Sequence, residues 1–122
     1  MAIVLVVDDE FGITNLLEDV LSDEGHRVLI ATNGKQGLER ALAERPDLVL
    51  TDYMMPVMDG AQLIGAMAAH ADLKNIPVVI MSSVPEAAVR ERCSGFSAYV
   101  AKPFKIFGLI DIVTGILDCD KS

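Results

Sequence analysis

The sequence predicts an α/β fold: an open, doubly wound parallel sheet of five strands with helices on both faces. Three observations predict it. Short apolar runs alternate with amphipathic segments five times along the chain. Most of the runs are continuous rather than alternating, as strands buried on both faces must be. No linker, repeat or low-complexity tract interrupts the series, so five βα units follow one another in a single domain, 1–122.

Ile3–Val7 is the first strand, and Asp8-Asp9-Glu10 follow it. Ile13, Leu16, Leu17, Val20 and Leu21 then recur at i, i+3, i+4, i+7 and i+8, one stripe of a helix that Gly25 terminates. Arg27–Ala31 is the second strand. Asn33-Gly34 opens a second helix with Leu38, Ala41 and Leu42 inward, ended by Pro46. Asp47–Thr51 is the third strand, and Asp52 is pushed from its end into a loop broken by Pro56 and Gly60. Asp59 caps a third helix carrying Leu63, Ile64 and Met67. Ile76–Met81 is the fourth strand. Pro85 suits the first turn of a short fourth helix that runs to about Cys93. Ser97–Ala101 is the fifth strand, and Phe104 to about Leu117 the fifth helix. Ile106, Leu109, Ile110, Val113 and Leu117 make its core stripe. Gly108, Ile112, Gly115 and Ile116 are left on or beside the opposite face, an expected contact surface for a partner or a second copy of the chain.

Composition narrows the function. Hydrophobic residues make up 52% and aromatic ones 5%, so the core is built from Val, Leu, Ile, Ala and Met. A net charge of -8 argues against direct nucleic-acid binding, which needs a basic patch, and suits an acidic site that attracts cations. Cys93 and Cys119 have no metal-ligand spacing and read as free thiols of a reducing cytoplasm. The first apolar run is too short for a signal peptide or a bilayer span, so a cytoplasmic protein with no membrane partner is expected.

Ligands of such sheets bind at the carboxyl ends of the strands. Those ends carry Asp8 and Asp9, Asp52, Ser82 and Ser83, and Lys102. Converging carboxylates repel one another, and a divalent cation relieves the repulsion. All-oxygen ligands in a partly hydrated site favour Mg2+. Lys102 supplies a point charge for a phosphoryl oxygen, and the Ser82 hydroxyl a donor for another. These parts suit phosphoryl transfer to the Asp52 carboxylate, giving an acyl phosphate. Taken singly each residue is ordinary: a polar exit from a strand, a loop aspartate, a surface lysine, serines that cap the next helix. Their joint placement is what points to a site. His26 and His70 have no ligand spacing, and the thioethers near Asp52 are poor magnesium ligands.

Val7-Asp8-Asp9-Glu10, Asp52 through Gly60, Val79-Ile80-Met81-Ser82-Ser83 and Tyr99 through Phe104 together resemble the receiver domain of two-component response regulators. The resemblance covers essentially the whole chain, with every motif in order. It implies the flavodoxin-like, CheY-like sheet of order 2-1-3-4-5 and a phosphoryl group donated by a histidine kinase or phosphotransfer protein. It implies Asp52 as the phosphorylation site, with Asp9, Asp52 and the backbone carbonyl of Met54 on Mg2+ and Asp8 contributing through water. Lys102 would bind the phosphoryl oxygen, through a cis Lys102-Pro103 bond. Ser82 and Tyr99 would form the switch pair that alters an output face built from the fourth helix, fifth strand and fifth helix. Catalysis would be limited to the chain's own phosphorylation and slow dephosphorylation.

Three departures from the family pattern carry expectations. The stretch from Ser82 to Lys102 is about two residues shorter than in the single-domain chemotaxis member, so the fourth helix should be displaced or truncated. Ser83 stands where a very small residue is usual. Met54 and Val84, both apolar, occupy the positions that flank the path of attacking water, which implies slow self-dephosphorylation. The chain stops soon after the fifth helix, so a stand-alone receiver without an output domain is expected. A receiver cut from a hybrid kinase or transcription regulator would read the same. A magnesium-dependent phosphohydrolase with an aspartyl-phosphate intermediate is the rival, but it needs a general acid where Met54 stands. A flavin-binding module would find phosphate repelled by Asp8-Asp9-Glu10.

Overall fold

The computed structural model describes residues 2–120, without the side chains of 119 and 120, so the expected free thiol of Cys119 lies outside the described residues. Cys93 is free. The elements alternate throughout: β1 (Ile3–Val7), α1 (Phe11–Asp23), β2 (Arg27–Ala31), α2 (Gly34–Glu44), β3 (Leu48–Asp52), α3 (Gly60–Ala68), β4 (Val78–Ser82), α4 (Glu86–Arg92), β5 (Ala98–Ala101) and α5 (Ile106–Asp120). All pairings are parallel, in the order β2-β1-β3-β4-β5. Element ends differ from the sequence reading by one or two residues, as frayed ends do.

The pleat sorts the core into two layers. Val4, Val6, Leu48, Leu50, Val79 and Met81 face Leu17 and Leu21 of α1 and Leu109, Val113 and Leu117 of α5. Leu5, Val7, Val49, Val78 and Ile80 face the other way, toward Ala41, Leu63, Ile64, Met67 and Val89. Both faces are therefore covered, which is why β1, β3 and β4 read as unbroken apolar runs.

Two expected inward positions are corrected, and one expected outward face is more buried than its pattern implied. Leu16 is 42% exposed, and buried Thr14 shares the inner face of α1 with Leu17 and Leu21. Leu42 is exposed as well, because α2 turns Gly34, Gly37 and Ala41 toward the sheet. A Cβ on Gly37 would lie 2.9 Å from a Val7 methyl, so close backbone approach replaces leucine packing there. On α5, Ile112 and Ile116 pack partly buried against the core, with Leu109 and Val113. Less of them is therefore free for the contact surface expected there, while Gly108 and Gly115 are exposed.

The fourth helix is short, as expected, with seven residues and only Val89 buried. Pro85 precedes it as its N-cap. Asp59 caps α3 and completes a capping box with Gln62. Among the described residues no helix is long and apolar enough to cross a membrane.

Candidate functional site

Strand register assembles the site. Val7 pairs with Thr51, Asp52 with Met81, and Ser82 with Ala101. The next residue along each strand therefore emerges at one edge, so Asp8, Asp52 and Lys102 meet although they lie far apart in sequence.

The Lys102 amine sits between two carboxylates, 3.0 Å from Asp8 Oδ2 and 3.3 Å from Asp52 Oδ1. Asp8 is 1% and Asp52 7% exposed, so this cation is the internal counter-charge of two buried acids. Asp52 Oδ1 also accepts the Tyr53 N–H at 2.9 Å, and Asp8 Oδ1 the Glu10 N–H at 3.0 Å. Burial, followed by the charge of Asp8, raises the Asp52 carboxyl from 3.8 to about 6, against the lowering pull of Lys102. Burial alone would lower the Lys102 amine; the hydrogen bond with Asp8 and the charges of both aspartates outweigh it and raise it.

Carboxylate oxygens of Asp8, Glu10 and Asp52 lie within 4.8 Å of one another. One lysine balances part of that charge, and an all-oxygen cluster of this kind fits a hard divalent cation. Asp9 is exposed and stands outside that convergent set. Glu10 was not singled out from sequence, where its only signal was a third acidic residue in a row; it is exposed, and of the three only Asp8 is buried. Met54 is 59% exposed beside Asp52.

Ser82 and Tyr99 meet at one residue, Val84. Ser82, 2% exposed, accepts the Val84 N–H on Oγ at 2.9 Å. The Tyr99 hydroxyl donates to the Val84 carbonyl and to the Ser82 carbonyl, the latter at 3.2 Å. Lys102 N–H reaches the same Ser82 carbonyl at 2.8 Å, and the Lys102-Pro103 peptide is cis. Ser83 is exposed and lines a groove of about 440 Å³ with Glu10, Ile13, Leu16, Lys102 and Phe104.

Known proteins with this arrangement agree on its class. Residues 4–114 match the family described as response regulator receiver domain. Sporulation initiation phosphotransferase F of Bacillus subtilis is 38% identical over 112 residues, covering 90% of this chain and 89% of that protein. The chemotaxis protein CheY4 of Vibrio cholerae superposes with a TM-score of 0.89 at 27% identity, over 95% of this chain and 98% of that one. The receiver domain of sensor histidine kinase PA1611 from Pseudomonas aeruginosa, solved with magnesium coordinated in its active-site cleft, gives 0.88 at 28% identity, over 96% and 98%. With its strand order, its acid pocket and a family match running nearly end to end, this chain belongs to the response regulator receiver domains of two-component signalling.

Proposed function

We propose that this chain accepts a phosphoryl group on Asp52 from a histidine kinase or phosphotransfer protein and relays the event by changing its protein contacts. The carrying observation is the placement of the Lys102 amine between Asp8 and Asp52, 3.0 and 3.3 Å away, at one edge of the sheet. An Asp52 oxygen attacks phosphorus as the donor's P–N bond breaks, and the freed imidazole keeps the electron pair. Lys102 then exchanges its Asp52 contact for a phosphoryl oxygen while holding Asp8. Asp9, Asp52 and the Met54 carbonyl, with Asp8 through water, are the groups that would hold Mg2+. When bound, that ion neutralises charge on the transferring group.

Ser82 would donate to another phosphoryl oxygen. To do so its hydroxyl turns from the Val84 N–H, whose carbonyl Tyr99 grips from the other side. That rearrangement is proposed to alter the α4–β5–α5 face. Apolar Met54 and Val84 offer an attacking water no hydrogen bond, so the acyl phosphate should be long-lived.

Incubation with acetyl phosphate and Mg2+ tests the chemistry. The expected result is a mass gain of one phosphoryl group that is absent without Mg2+ and absent in Asp52→Asn. A gain that survives Asp52→Asn, or no gain in the native chain, would overturn the reading.

A further inference from the structure

Little holds α4 to the body of the domain. It is seven residues long and buries only Val89. Arg90 is engaged locally: its Nε donates to Glu86 Oε2 at 2.9 Å, one turn back, and its guanidinium carbon lies 4.6 Å from the centre of the Phe96 ring in the loop that follows. Arg92, the last residue of the helix, reaches across to the acceptor loop instead. Its Nη2 lies 3.7 Å from Asp59 Oδ2, and its guanidinium carbon 5.7 Å from the centre of the Tyr53 ring. Both partners are themselves fixed. Asp59 Oδ1 accepts the Gln62 N–H at 2.9 Å as the cap of α3, and buried Tyr53 donates its N–H to Asp52 Oδ1. Among the described residues, Arg92–Asp59 is the one ion pair that joins α4 to the loop following the acceptor.

A groove of about 310 Å³ runs from Arg92, Cys93 and Ser94 to Ile64, Gly65 and Ala68 of α3, leaving that end of α4 room to swing. A two-turn helix with one buried side chain moves as a rod. When the Ser82 hydroxyl turns from the Val84 N–H toward a phosphoryl group, the start of the rod shifts and its far end must follow. We propose that Arg92 is a clasp of the resting state: it holds α4 against Asp59 and Tyr53 while Asp52 is unphosphorylated, and phosphorylation must release it. A contact made in one arrangement and lost in the other biases the equilibrium by its own strength. By linkage it also weakens the binding of whatever favours the second arrangement. This rests on the reading of Asp52 as phosphoacceptor, and adds a restraint on the response to it.

Titration of the full chain with beryllofluoride, a stand-in for the phosphoryl group, in Mg2+ tests the clasp through amide NMR shifts of residues 84–92. Arg92→Gln is expected to bind beryllofluoride about threefold more tightly than the native chain, the worth of one half-exposed ion pair with its cation–π contact. Its resting shifts should move along the line toward the native beryllofluoride-bound positions, which a merely structural loss would not produce. Asp59→Asn keeps a good cap on α3 but removes the charge, and should give part of the same gain. The two changes together should give no more than Arg92→Gln alone. Arg90→Gln removes the same charge from the same helix and should leave the affinity unchanged. Unchanged or weaker binding in Arg92→Gln, or an equal gain in Arg90→Gln, overturns the clasp while leaving Asp52 phosphorylation by acetyl phosphate intact. A native chain that neither binds beryllofluoride nor is phosphorylated overturns both.

Discussion

Asp52 carries a cost that chemistry requires of it. Burial and Asp8 raise its carboxyl to about 6, so between 3.8 and about 6 the folded chain keeps a proton that the unfolded chain has lost. Its ionisation therefore opposes folding, and the penalty is complete above about 6 and absent below the ordinary value. Asp52→Asn should thus raise unfolding free energy at pH 7 by on the order of 2 kcal/mol in metal-free buffer. The gain should shrink as pH falls from 6 toward 4. Urea titrations at several pH values check it; a gain that grows toward acid would contradict the assigned cause. The same desolvated charge is what makes the pocket eager for a cation. Residue-scale chemistry was largely legible, because Asp52 and Lys102 stand where apolar runs end. Which of the three acids in a row is buried was not: they give no spacing signal, and only the structure shows that it is Asp8.

At the scale of elements, packing decided what periodicity could not. The heptad-like stripes of α1 and α2 included Leu16 and Leu42, yet both helices meet the sheet along narrower strips. On α2 the strip is Gly34, Gly37 and Ala41, and the absence of side chains is what lets the helix approach β1. A pattern that counts apolar residues cannot see a contact made by glycine. Gly37→Val should overpack this seam and destabilise the chain by about 1–3 kcal/mol, read from the urea midpoint. The same change at Gly12, where a Cβ would meet nothing within 4 Å, should leave stability unchanged or raise it slightly, since Val forms helix more readily than Gly. The facing of α5 was hidden for another reason: its apolar residues nearly encircle it, and only the packed structure shows Ile112 and Ile116 partly buried against the core.

For the molecule as a whole, the parallel sheet was readable because burial on both faces leaves continuous apolar runs, while the order of its strands came only from the family resemblance. The proposed switch is a property of this larger scale, since Ser82 and Tyr99 lie on different strands and meet through Val84 and the Ser82 carbonyl. Ser82→Ala should still gain a phosphoryl group on Asp52. It should lose the change in amide exchange over α4 and β5 that beryllofluoride with Mg2+ produces in the native chain. An undiminished response in Ser82→Ala would remove the serine from the relay.

The two loops beside Asp52 are built to opposite standards. After β3 the chain is stitched down: Gly34 N–H bonds the Met58 carbonyl at 2.9 Å, Gly60 N–H the Tyr53 carbonyl at 2.9 Å, and Asp59 closes its box on Gln62. After β4 one residue, Val84, hangs between a hydroxyl and a phenol, ahead of a helix with one buried side chain. Strain introduced at the acceptor therefore meets a wall on the α2–α3 flank and a door on the other. The asymmetry gives the domain a front and a back, so the proposed phosphorylation of Asp52 should be felt on one side only.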